Sequence, residues 1–260
     1  MRGRVLTIAG SDSGGGAGVQ ADIKTIGALG GYAATAITAL TAQDTTGVQA
    51  VLPVPAAFVA RQIEAVLGDI GADAIKTGML GDAPTIEVVC DVLQGYAAPL
   101  VVDPVMVAKG GTRLLAADAV ATLVARLLPR ATVLTPNVPE ADVLTGLAIA
   151  DLDAMRRAAD AILRLGASAV LLKGGHLPGE TVTDLLASGQ GTEVFAAPRI
   201  VSRHTHGTGC TLASAIATGL AQGMALRDAV ERARAYVRAA IAAAPGYGSG
   251  HGPLNHNVTV

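Results

Sequence analysis

Short apolar runs recur along the chain and alternate with stretches of helical periodicity. The runs of strand length, several of them apolar throughout, cover residues 5–9, 34–40, 74–77, 100–102, 132–134 and 169–172. Strands buried on both faces of a parallel sheet have this composition. Between them, residues 114–128 and 155–165 repeat apolar side chains at helical spacings. The alternation predicts a doubly wound α/β fold with a mostly parallel sheet.

The C-terminal part of the chain breaks this alternation. Residues 181–186 and 192–201 flank the turn-like segment 188–191 and predict a late hairpin insertion. Helical patterns over residues 208–223 and 226–244 are expected to close the fold. Because no linker, repeat or shift in composition interrupts the 260 residues, we expect one domain spanning residues 1–260.

Composition narrows the class of protein. Hydrophobic residues make up 51% of the chain but aromatic residues only 2%, so the core has to be built from Ala, Val, Leu and Ile. The 19 basic and 21 acidic residues give a formal charge of −2, which offers no basic excess for a nucleic-acid backbone. We therefore expect no nucleic-acid partner.

Membrane insertion and secretion are not expected either. The mean hydropathy is +0.48, but the charge-free stretch over residues 25–43 is interrupted by glycines, threonines and a glutamine. A membrane-spanning helix needs about 20 predominantly apolar residues. No signal peptide precedes the first predicted strand, and the two cysteines, Cys90 and Cys210, suit a reducing compartment. These features predict a cytoplasmic protein.

Polar and glycine residues follow each of the six predicted strands. The residues at these positions are 10–18, 43–44, 76–79, 103–109, 135–140 and 173–176. In open parallel sheets, ligands bind beyond the carboxyl ends of the strands. Since the same edge of the sheet is marked six times, we expect the functional site there.

The first of these segments is a glycine-rich loop, residues 9–18, between a strand and a helix. A dinucleotide fingerprint would require its third glycine at Val19, and a Walker loop would require a lysine after the last glycine. Neither pattern is met. The glycines still expose backbone amides near a helix N-terminus, which suits an anionic or tightly enclosed ligand. A merely permissive turn is the alternative interpretation.

Residues 206–211 are the most informative stretch, because His-Gly-Thr-Gly-Cys-Thr precedes an alanine-rich helical pattern. Their backbone amides are expected to form an anion pocket where charge develops during phosphoryl transfer. Cys210 would lie in the first helical turn, where the pKa of a thiol tends to fall. The alternative is a small buried cysteine without a function. The preceding Gly207, Thr208 and Gly209 favour the functional interpretation.

Residues 135–140 end one strand and begin a helix, with prolines that set the turn. Asn137 and Glu140 could hold a hydrated Mg²⁺ ion, with Asp103 sharing that role. Glu140 could equally be a first-turn acid that favours the helix dipole. Lys173, after another strand, is either a point charge for a phosphate or a surface lysine. The five histidines show no zinc spacing, so most are expected to have no catalytic role.

A family resemblance joins these segments. The sequence AGSDSGGGAGVQAD at residues 9–22 resembles the N-terminal signature of the hydroxymethylpyrimidine/phosphomethylpyrimidine kinases of thiamine biosynthesis. Further motifs of that family follow in order: TALTAQ at 38–43, KTGML at 76–80, VDPVM at 102–106, TPNVPEA at 135–141, KGGH at 173–176, THGTGCT at 205–211 and GHGP at 250–253. The ordered set extends from residue 6 to about residue 256 and is highly specific.

The resemblance implies a ribokinase-like fold, with a central, mostly parallel sheet flanked by helices on both faces. It also implies ATP, Mg²⁺, a monovalent cation such as K⁺, and a homodimer. The activity that it implies is transfer of the γ-phosphoryl group of ATP to 4-amino-5-hydroxymethyl-2-methylpyrimidine. A second transfer then acts on the monophosphate.

The resemblance also implies roles for individual residues. The substrate would be bound by Gln43, Gly10, Ala17, Met79 and Val105. The nucleotide would be bound by Lys173, Asn137 and Thr205, with Glu140 and Asp103 around magnesium. The catalytic segment would be Gly207, Thr208, Gly209 and Cys210, the cysteine standing where the wider superfamily usually has an aspartate base.

Three other functions remain open at this point. A pyridoxine/pyridoxal kinase acts on a similar heteroaromatic alcohol, but Gln43 can both accept from the amino group and donate to the ring nitrogen of an aminopyrimidine. A non-catalytic binding protein of this fold would be expected to lose the pocket at residues 207–210 or Glu140. A sugar kinase is disfavoured because Cys210 replaces the usual aspartate.

Overall fold

The computed structural model describes residues 2–107, 111, 114–116 and 118–259. Within these residues, the strands are β1 (Arg4–Ser11), β2 (Tyr32–Gln43), β3 (Val48–Pro53), β4 (Ala74–Thr77), β5 (Leu100–Val102), β6 (Val133–Leu134), β7 (Ala169–Leu172), β8 (Thr181–Ser188) and β9 (Gly191–Pro198). The α-helices are α1 (Gly18–Ala28), α2 (Ala56–Asp69), α3 (Ala83–Val92), α4 (Ala119–Thr122), α5 (Val138–Thr145), α6 (Leu152–Arg164), α7 (Thr208–Ala221) and α8 (Leu226–Ala242).

In the described part of the chain, all nine strands form one sheet in the order β3-β2-β1-β4-β5-β6-β7-β8-β9. The six strands from β2 to β7 in this order are parallel to one another. They coincide with the six predicted runs, so the α/β prediction is confirmed. The predicted late hairpin, β8 and β9, pairs antiparallel with β7 and therefore extends the sheet rather than standing apart from it.

Helices cover both faces of the central strands. Val101 packs in a cluster with α1, α7 and α8, whereas its neighbour Val102 packs in a second cluster with α2, α3, α5 and α6. Leu171 and Leu172 divide in the same way. Because successive side chains of a strand point to opposite faces, a strand covered on both sides is apolar throughout. This explains why the short strands were recognisable in the sequence.

Strand β3 was not predicted. Its residues lie at one edge of the sheet, pair antiparallel with β2, and are mostly exposed. A strand exposed on both faces has neither the continuous apolar run nor the alternation that marks a buried strand.

The predicted helix 114–128 is wrong at its start. The α-helix begins only at Ala119, because the Leu114 and Leu115 amides donate to the Met106 carbonyl instead of entering a helix. From there the chain winds as a π-helix over Leu123–Leu127 and as a 3-10 helix over Leu128–Arg130, where Pro129 has no N–H to continue the ladder. Residues 108–109, in the predicted strand-end segment 103–109, and residue 117 lie outside the described residues.

The positive mean hydropathy of the chain does not come from a membrane-spanning helix in the described residues. Across the described ranges, none of the helices combines the length and the apolar character that crossing a bilayer requires. The charge-free stretch 25–43 forms the end of α1, a turn and β2.

Candidate active site

The carboxyl ends of the parallel strands carry the residues that the sequence indicated. The glycine-rich loop follows β1, Gln43 ends β2, Met79 follows β4, and Asp103 follows β5. Asn137 and Lys173 follow β6 and β7, and their backbones form a parallel bridge. The start of α7 reaches the same edge, because α7 packs against α1, β1, β4 and β5.

The glycine-rich loop and the start of α7 pack backbone against backbone. Gly207, the N-cap of α7, has φ of +83°, a region that favours glycine. A Cβ at Gly207 would overlap the Gly16 carbonyl oxygen and lie 3.2 Å from the Ala17 Cα. Only glycine therefore allows the two segments to approach this closely.

The first turn of α7 faces two charged side chains. A Cβ at Gly209 would lie 3.3 Å from Lys173 Nζ and 3.5 Å from Asp103 Oδ2. The first amides of a helix have no intrahelical acceptor, and Gly207 has no side chain to cap them. The Thr208 hydroxyl is directed to the preceding loop, since the Thr208 N–H and hydroxyl both donate to the Thr205 carbonyl. The sequence predicted an anion pocket at this place, where the start of α7 and the Lys173 ammonium group come together.

Lys173 and Asp103 form an ion pair at this pocket, with Lys173 Nζ 3.1 Å from Asp103 Oδ1. Thr135 Oγ1 donates to the same oxygen at 3.3 Å. Burial alone would lower the pKa of Lys173, but Asp103 and Glu140 raise it above its ordinary value, so the ammonium stays charged. With only 14% of its side chain exposed, Lys173 is not the surface lysine of the alternative interpretation.

Asn137 and Glu140 form a capping box at the start of α5. The Asn137 N–H donates to Glu140 Oε2 at 2.8 Å, and the Glu140 N–H donates to Asn137 Oδ1 at 2.9 Å. The pKa of Glu140 is raised to about 7, because the effects of burial and of the Asp103 charge outweigh the opposing effect of Lys173. Glu140 is therefore both a first-turn acid and part of the charged cluster.

The donor set fits a hydrated Mg²⁺ ion. In the residues with described positions, no group of three or more His, Cys, Asp or Glu side chains is arranged to hold a metal. Asp103 and Glu140 both bring a carboxylate close to Lys173, and Glu140 also accepts from the Asn137 and Met106 amides. Because Mg²⁺ usually keeps several waters and takes one or two carboxylates, these two side chains suffice.

Cys210 lies half-buried in the first turn of α7. Burial raises the pKa of its thiol to about 11; Lys76 opposes the rise, and Asp22 and Asp103 add to it. The expectation that the helix N-terminus lowers this pKa is therefore wrong for the ligand-free protein. Burial together with two carboxylates outweighs the helix dipole and the Lys76 charge.

A second group of predicted residues lies on the other side of the glycine-rich loop. Met79 covers Gly10 so closely that a Cβ at Gly10 would lie 2.6 Å from the Met79 Cε. The Met79 carbonyl accepts from Thr38 Oγ1 at 2.6 Å, which holds this turn to β2. Val105 follows Asp103 in a tight turn, its N–H donating to the Asp103 carbonyl at 2.9 Å. The sequence predicted that Gly10, Met79 and Val105 bind the substrate ring.

Asp12 and His206 were not predicted as site residues, and they join the two groups. Asp12 accepts from the amides of Gly14, Gly16 and Ala17, and its Oδ2 lies 2.8 Å from His206 Nε2. Burial alone would raise the pKa of Asp12, but the bonds from His206 and the loop amides lower it below its usual value. An acid inside a glycine-rich loop was the available signal, but nothing local indicated its histidine partner.

Lys76 and Asp22 form a second unpredicted feature, a fully buried ion pair below the site. A Cβ at Gly78 would lie 2.9 Å from Lys76 Nζ, and the Lys76 charge acts on Cys210. The signal in the sequence was a lysine inside a short strand predicted to be buried.

The strand order and the matches to known proteins give the class of protein: the chain is a kinase of the ribokinase-like fold. Within that class it belongs to the phosphomethylpyrimidine kinase family, whose model matches residues 12–255. The family prediction made from the ordered motifs is confirmed.

Curated relatives agree with this assignment. The chain is 56% identical over 98% of its length to the thiamine biosynthesis bifunctional protein ThiED of Geobacter sulfurreducens. It spans 52% of that longer protein. It is 49% identical to the hydroxymethylpyrimidine/phosphomethylpyrimidine kinase of Bacillus subtilis, covering 97% of this chain and 94% of the relative.

Solved structures share the fold. An ADP complex of Bacillus subtilis pyridoxal kinase superposes with a TM-score of 0.92, at 37% identity and covering 98% of both chains. The phosphomethylpyrimidine kinase of Clostridium difficile superposes with a TM-score of 0.81, at 43% identity, covering 90% of this chain and 97% of that one.

Proposed function

We propose that this chain transfers the γ-phosphoryl group of ATP to the hydroxymethyl group of 4-amino-5-hydroxymethyl-2-methylpyrimidine, and then phosphorylates the monophosphate. The observation that carries the proposal is the contact of the α7 N-terminus with Lys173 and Asp103 at Gly209. Helix amides and a buried ammonium are the groups that stabilise a transferring phosphoryl group. The named activities of the relatives and the ADP bound to the solved pyridoxal kinase support the same reaction class.

The charged cluster has a defined part in this reaction. Lys173, kept charged by Asp103 and Glu140, would bind nucleotide phosphates, with Asn137 and Thr205 on the adjoining strand end and loop. Asp103 and Glu140 would hold hydrated Mg²⁺, which when bound neutralises charge on the phosphates. A requirement for a monovalent cation such as K⁺ remains a prediction.

Cys210 would serve as a small neutral neighbour of the reacting oxygen. With a pKa of about 11, its thiol is protonated at neutral pH. The loose transition state of phosphoryl transfer makes little demand on a strong base. In the second transfer, the attacking oxygen belongs to a phosphate monoester whose second pKa is about 6, so it is already anionic. An uncharged thiol admits this phosphate, whereas a carboxylate would repel it.

A pyridoxine/pyridoxal kinase is the second candidate, since the solved pyridoxal kinase has the same fold. Gln43 favours the aminopyrimidine, because one amide can pair with an amino group and the adjacent ring nitrogen at once. The chain is also more similar in sequence to a relative named for the pyrimidine reaction, at 49% identity, than to the solved pyridoxal kinase, at 37%. This difference favours the pyrimidine substrate.

We also propose a homodimer in a reducing cytoplasm. Large apolar side chains are exposed around the β2–β3 edge: Leu40, Val51, Leu52 and Phe58. Leu40 and Leu52 lie directly opposite each other on the two strands, and large exposed apolar side chains that lie together are typical of a protein interface. Both cysteines are free thiols, which suits a reducing compartment. Light scattering of the protein and of Leu52→Lys tests the interface: dimer for the parent and monomer for the variant are expected.

Steady-state kinetics with each heteroaromatic alcohol, following ADP release, test the activity. We expect a higher kcat/KM for the aminopyrimidine alcohol than for pyridoxal, and turnover of the aminopyrimidine monophosphate in a separate assay. A preference for pyridoxal, or no turnover of the monophosphate, would contradict the proposal.

A further inference from the structure

The side-chain amide of Gln43 lies between two groups that decide which way it faces. Gln43 Nε2 is 3.3 Å from His206 Nε2, and Gln43 Oε1 is 3.3 Å from Thr41 Oγ1. The backbone below it is firmly held, since Ser13 Oγ donates to the Gln43 carbonyl at 2.7 Å and accepts from the Gln43 N–H at 2.8 Å. A half-turn of the terminal amide exchanges its nitrogen and oxygen without moving the rest of the residue, so hydrogen bonding must choose between the two orientations.

Thr41 favours the exchanged orientation. Its hydroxyl has a single proton, which is donated to the Ser11 carbonyl at 2.8 Å. Towards Gln43, Thr41 Oγ1 can therefore only accept. The Gln43 carbonyl oxygen offers no proton to it, whereas the Gln43 amino group does.

His206 favours the same orientation for an independent reason. Its Nε2 is 2.8 Å from Asp12 Oδ2, and an ionised carboxylate can only accept. The lowered pKa of Asp12 keeps that carboxylate ionised at neutral pH. His206 Nε2 therefore carries a proton and cannot accept from the Gln43 amino group. It can share its proton with the Gln43 carbonyl oxygen.

We propose that Asp12, His206 and Thr41 hold the Gln43 amide with Oε1 towards His206 and Nε2 towards Thr41, and that this orientation sets both the specificity for an aminopyrimidine and the direction in which its hydroxymethyl group points. His206 and Thr41 are positioning residues in this scheme, because they act on the substrate through Gln43. The inference rests on the proposed function for the identity of the ring.

The orientation has a direct consequence for the bound ring. Once His206 and Thr41 are satisfied, Gln43 keeps one acceptor position on Oε1 and one N–H on Nε2. Oε1 accepts from the exocyclic amino group, and Nε2 donates to the adjacent ring nitrogen. Because Oε1 faces His206, the amino group lies on the His206 side. In the substrate the hydroxymethyl group is bonded to the ring carbon next to the one that bears the amino group. It therefore also lies on the His206 side, where residues 207–210 begin the anion pocket.

The reversed amide would turn the ring over. The amino group would then lie on the Thr41 side, and the reactive hydroxymethyl group would point away from the start of α7. The backbone of His206 is anchored against such a change, since its main-chain N–H donates to the Gly252 carbonyl at 3.2 Å. A Cβ at Gly16 would lie 2.6 Å from the His206 ring, so the ring is also pressed against the glycine-rich loop.

Substitutions at His206 and Thr41 test the proposal through substrate selectivity. His206→Leu removes the proton donor and should lower the ratio of kcat/KM for the aminopyrimidine alcohol over pyridoxal by about 10-fold or more, the cost of a lost hydrogen bond in a buried site. His206→Gln keeps an N–H at similar reach and should restore most of that ratio.

Thr41→Val removes the acceptor for the Gln43 amino group and should lower the same selectivity ratio, whereas Thr41→Ser keeps the hydroxyl and should restore it. His251→Leu, on an exposed histidine that contacts the Arg203 carbonyl, is the matched control.

The ligand-free protein gives a readout that does not depend on its substrate. Long-range ¹H–¹⁵N spectra should show the proton of His206 on Nε2, and the Gln43 amino protons should show contacts to the Thr41 methyl group rather than to the His206 ring. An unprotonated Nε2, or amino protons next to His206, would overturn the proposal even if the enzyme is active. Equal selectivity in His206→Leu and the parent would overturn it as well. If the aminopyrimidine alcohol is not turned over but the spectra are as expected, the proposed function fails while the amide orientation stands.

Discussion

Lys76 and Asp22 form an ion pair whose side chains are both fully buried, with Lys76 Nζ 2.9 Å from Asp22 Oδ2. Thr7 and Ser214 donate their hydroxyl protons to the same carboxylate, at 2.5 and 2.6 Å. The pair thus connects β4, α1, β1 and α7 directly below the reacting groups. Ser214 is one helical turn beyond Cys210, so the pair also holds the start of α7 in place.

Lys76→Met is expected to lower the free energy of unfolding by about 3–5 kcal/mol, because it leaves the Asp22 carboxylate buried without its cation. Urea denaturation measures the change. The double variant Lys76→Met/Asp22→Leu removes both charges and should recover part of the loss. Lys24→Met, on an exposed lysine of α1, is the control and should cost about 1 kcal/mol or less. Equal stability of Lys76→Met and the parent would contradict this role.

Gln43→Leu should weaken transition-state binding of the aminopyrimidine alcohol by roughly 2–4 kcal/mol, because two paired hydrogen bonds are lost in a site built for them. The measurement is kcat/KM with the folded state checked by circular dichroism. Gln49→Leu is a matched control, since Gln49 is exposed and its side-chain amide donates to the Asp44 carboxylate. A kcat/KM that barely moves in a folded Gln43→Leu variant would show that another residue selects the ring.

Glu140→Gln should raise the Mg²⁺ concentration needed for half-maximal activity and also lower kcat. The amide keeps an acceptor for the Asn137 N–H, so the helix start is preserved while one negative charge is lost. Titration of activity with Mg²⁺ at fixed ATP measures both effects. Glu64→Gln, on an exposed position of α2, provides the control. An unchanged Mg²⁺ dependence would argue that Glu140 acts only as a helix cap.

Cys210→Asp should slow phosphorylation of the monophosphate more than phosphorylation of the alcohol. The new carboxylate would stand near Asp22 and Asp103 and would repel a phosphate monoester, whereas the neutral thiol does not. Cys210→Ser keeps a small neutral group and should affect the two steps similarly, and Cys90→Ser controls for the other thiol. Assaying each step separately decides the matter. Equal losses in both steps of Cys210→Asp would mean that charge at this position does not select between the substrates.

His256 predicts an acid-sensitive fold. Burial, together with the nearby Lys24 charge, lowers the pKa of its imidazole from 6.5 to about 4. The unfolded state therefore binds a proton first as the pH falls, and stability is lost between about pH 6.5 and pH 4. The full effect is about 3 kcal/mol, at about 1.4 kcal/mol per unit of pKa shift.

Urea denaturation of the parent and of His256→Gln across that pH range tests this expectation. The glutamine can still pair with Thr211 Oγ1, the partner of the imidazole, but it does not titrate. We expect the two stability curves to converge as the pH falls from 6.5 to 4. The exposed His251→Gln should follow the parent. Parallel curves for the parent and His256→Gln would contradict the pKa assigned to His256.

Much of the fold was determined by the sequence alone. The run at 169–172 is apolar throughout because helices cover both faces of β7. Such a pattern has few other structural solutions. Strand β3 left no comparable pattern because it is exposed, and the start of α4 was misplaced because Leu114 and Leu115 bond to the distant Met106 carbonyl.

That the candidate site residues come together at one edge of the sheet could also be predicted from the sequence, since the ends of parallel strands meet there. Tertiary structure decided the pairings and the charge states. Asp12 and His206 are 194 positions apart, and no local pattern relates them. The thiol of Cys210 was expected to be acidic from its place in a helix, but its pKa depends on burial and on Lys76, Asp22 and Asp103, which only folding brings near. Helix position is local in the chain, whereas burial and the field of distant charges exist only once the chain has folded.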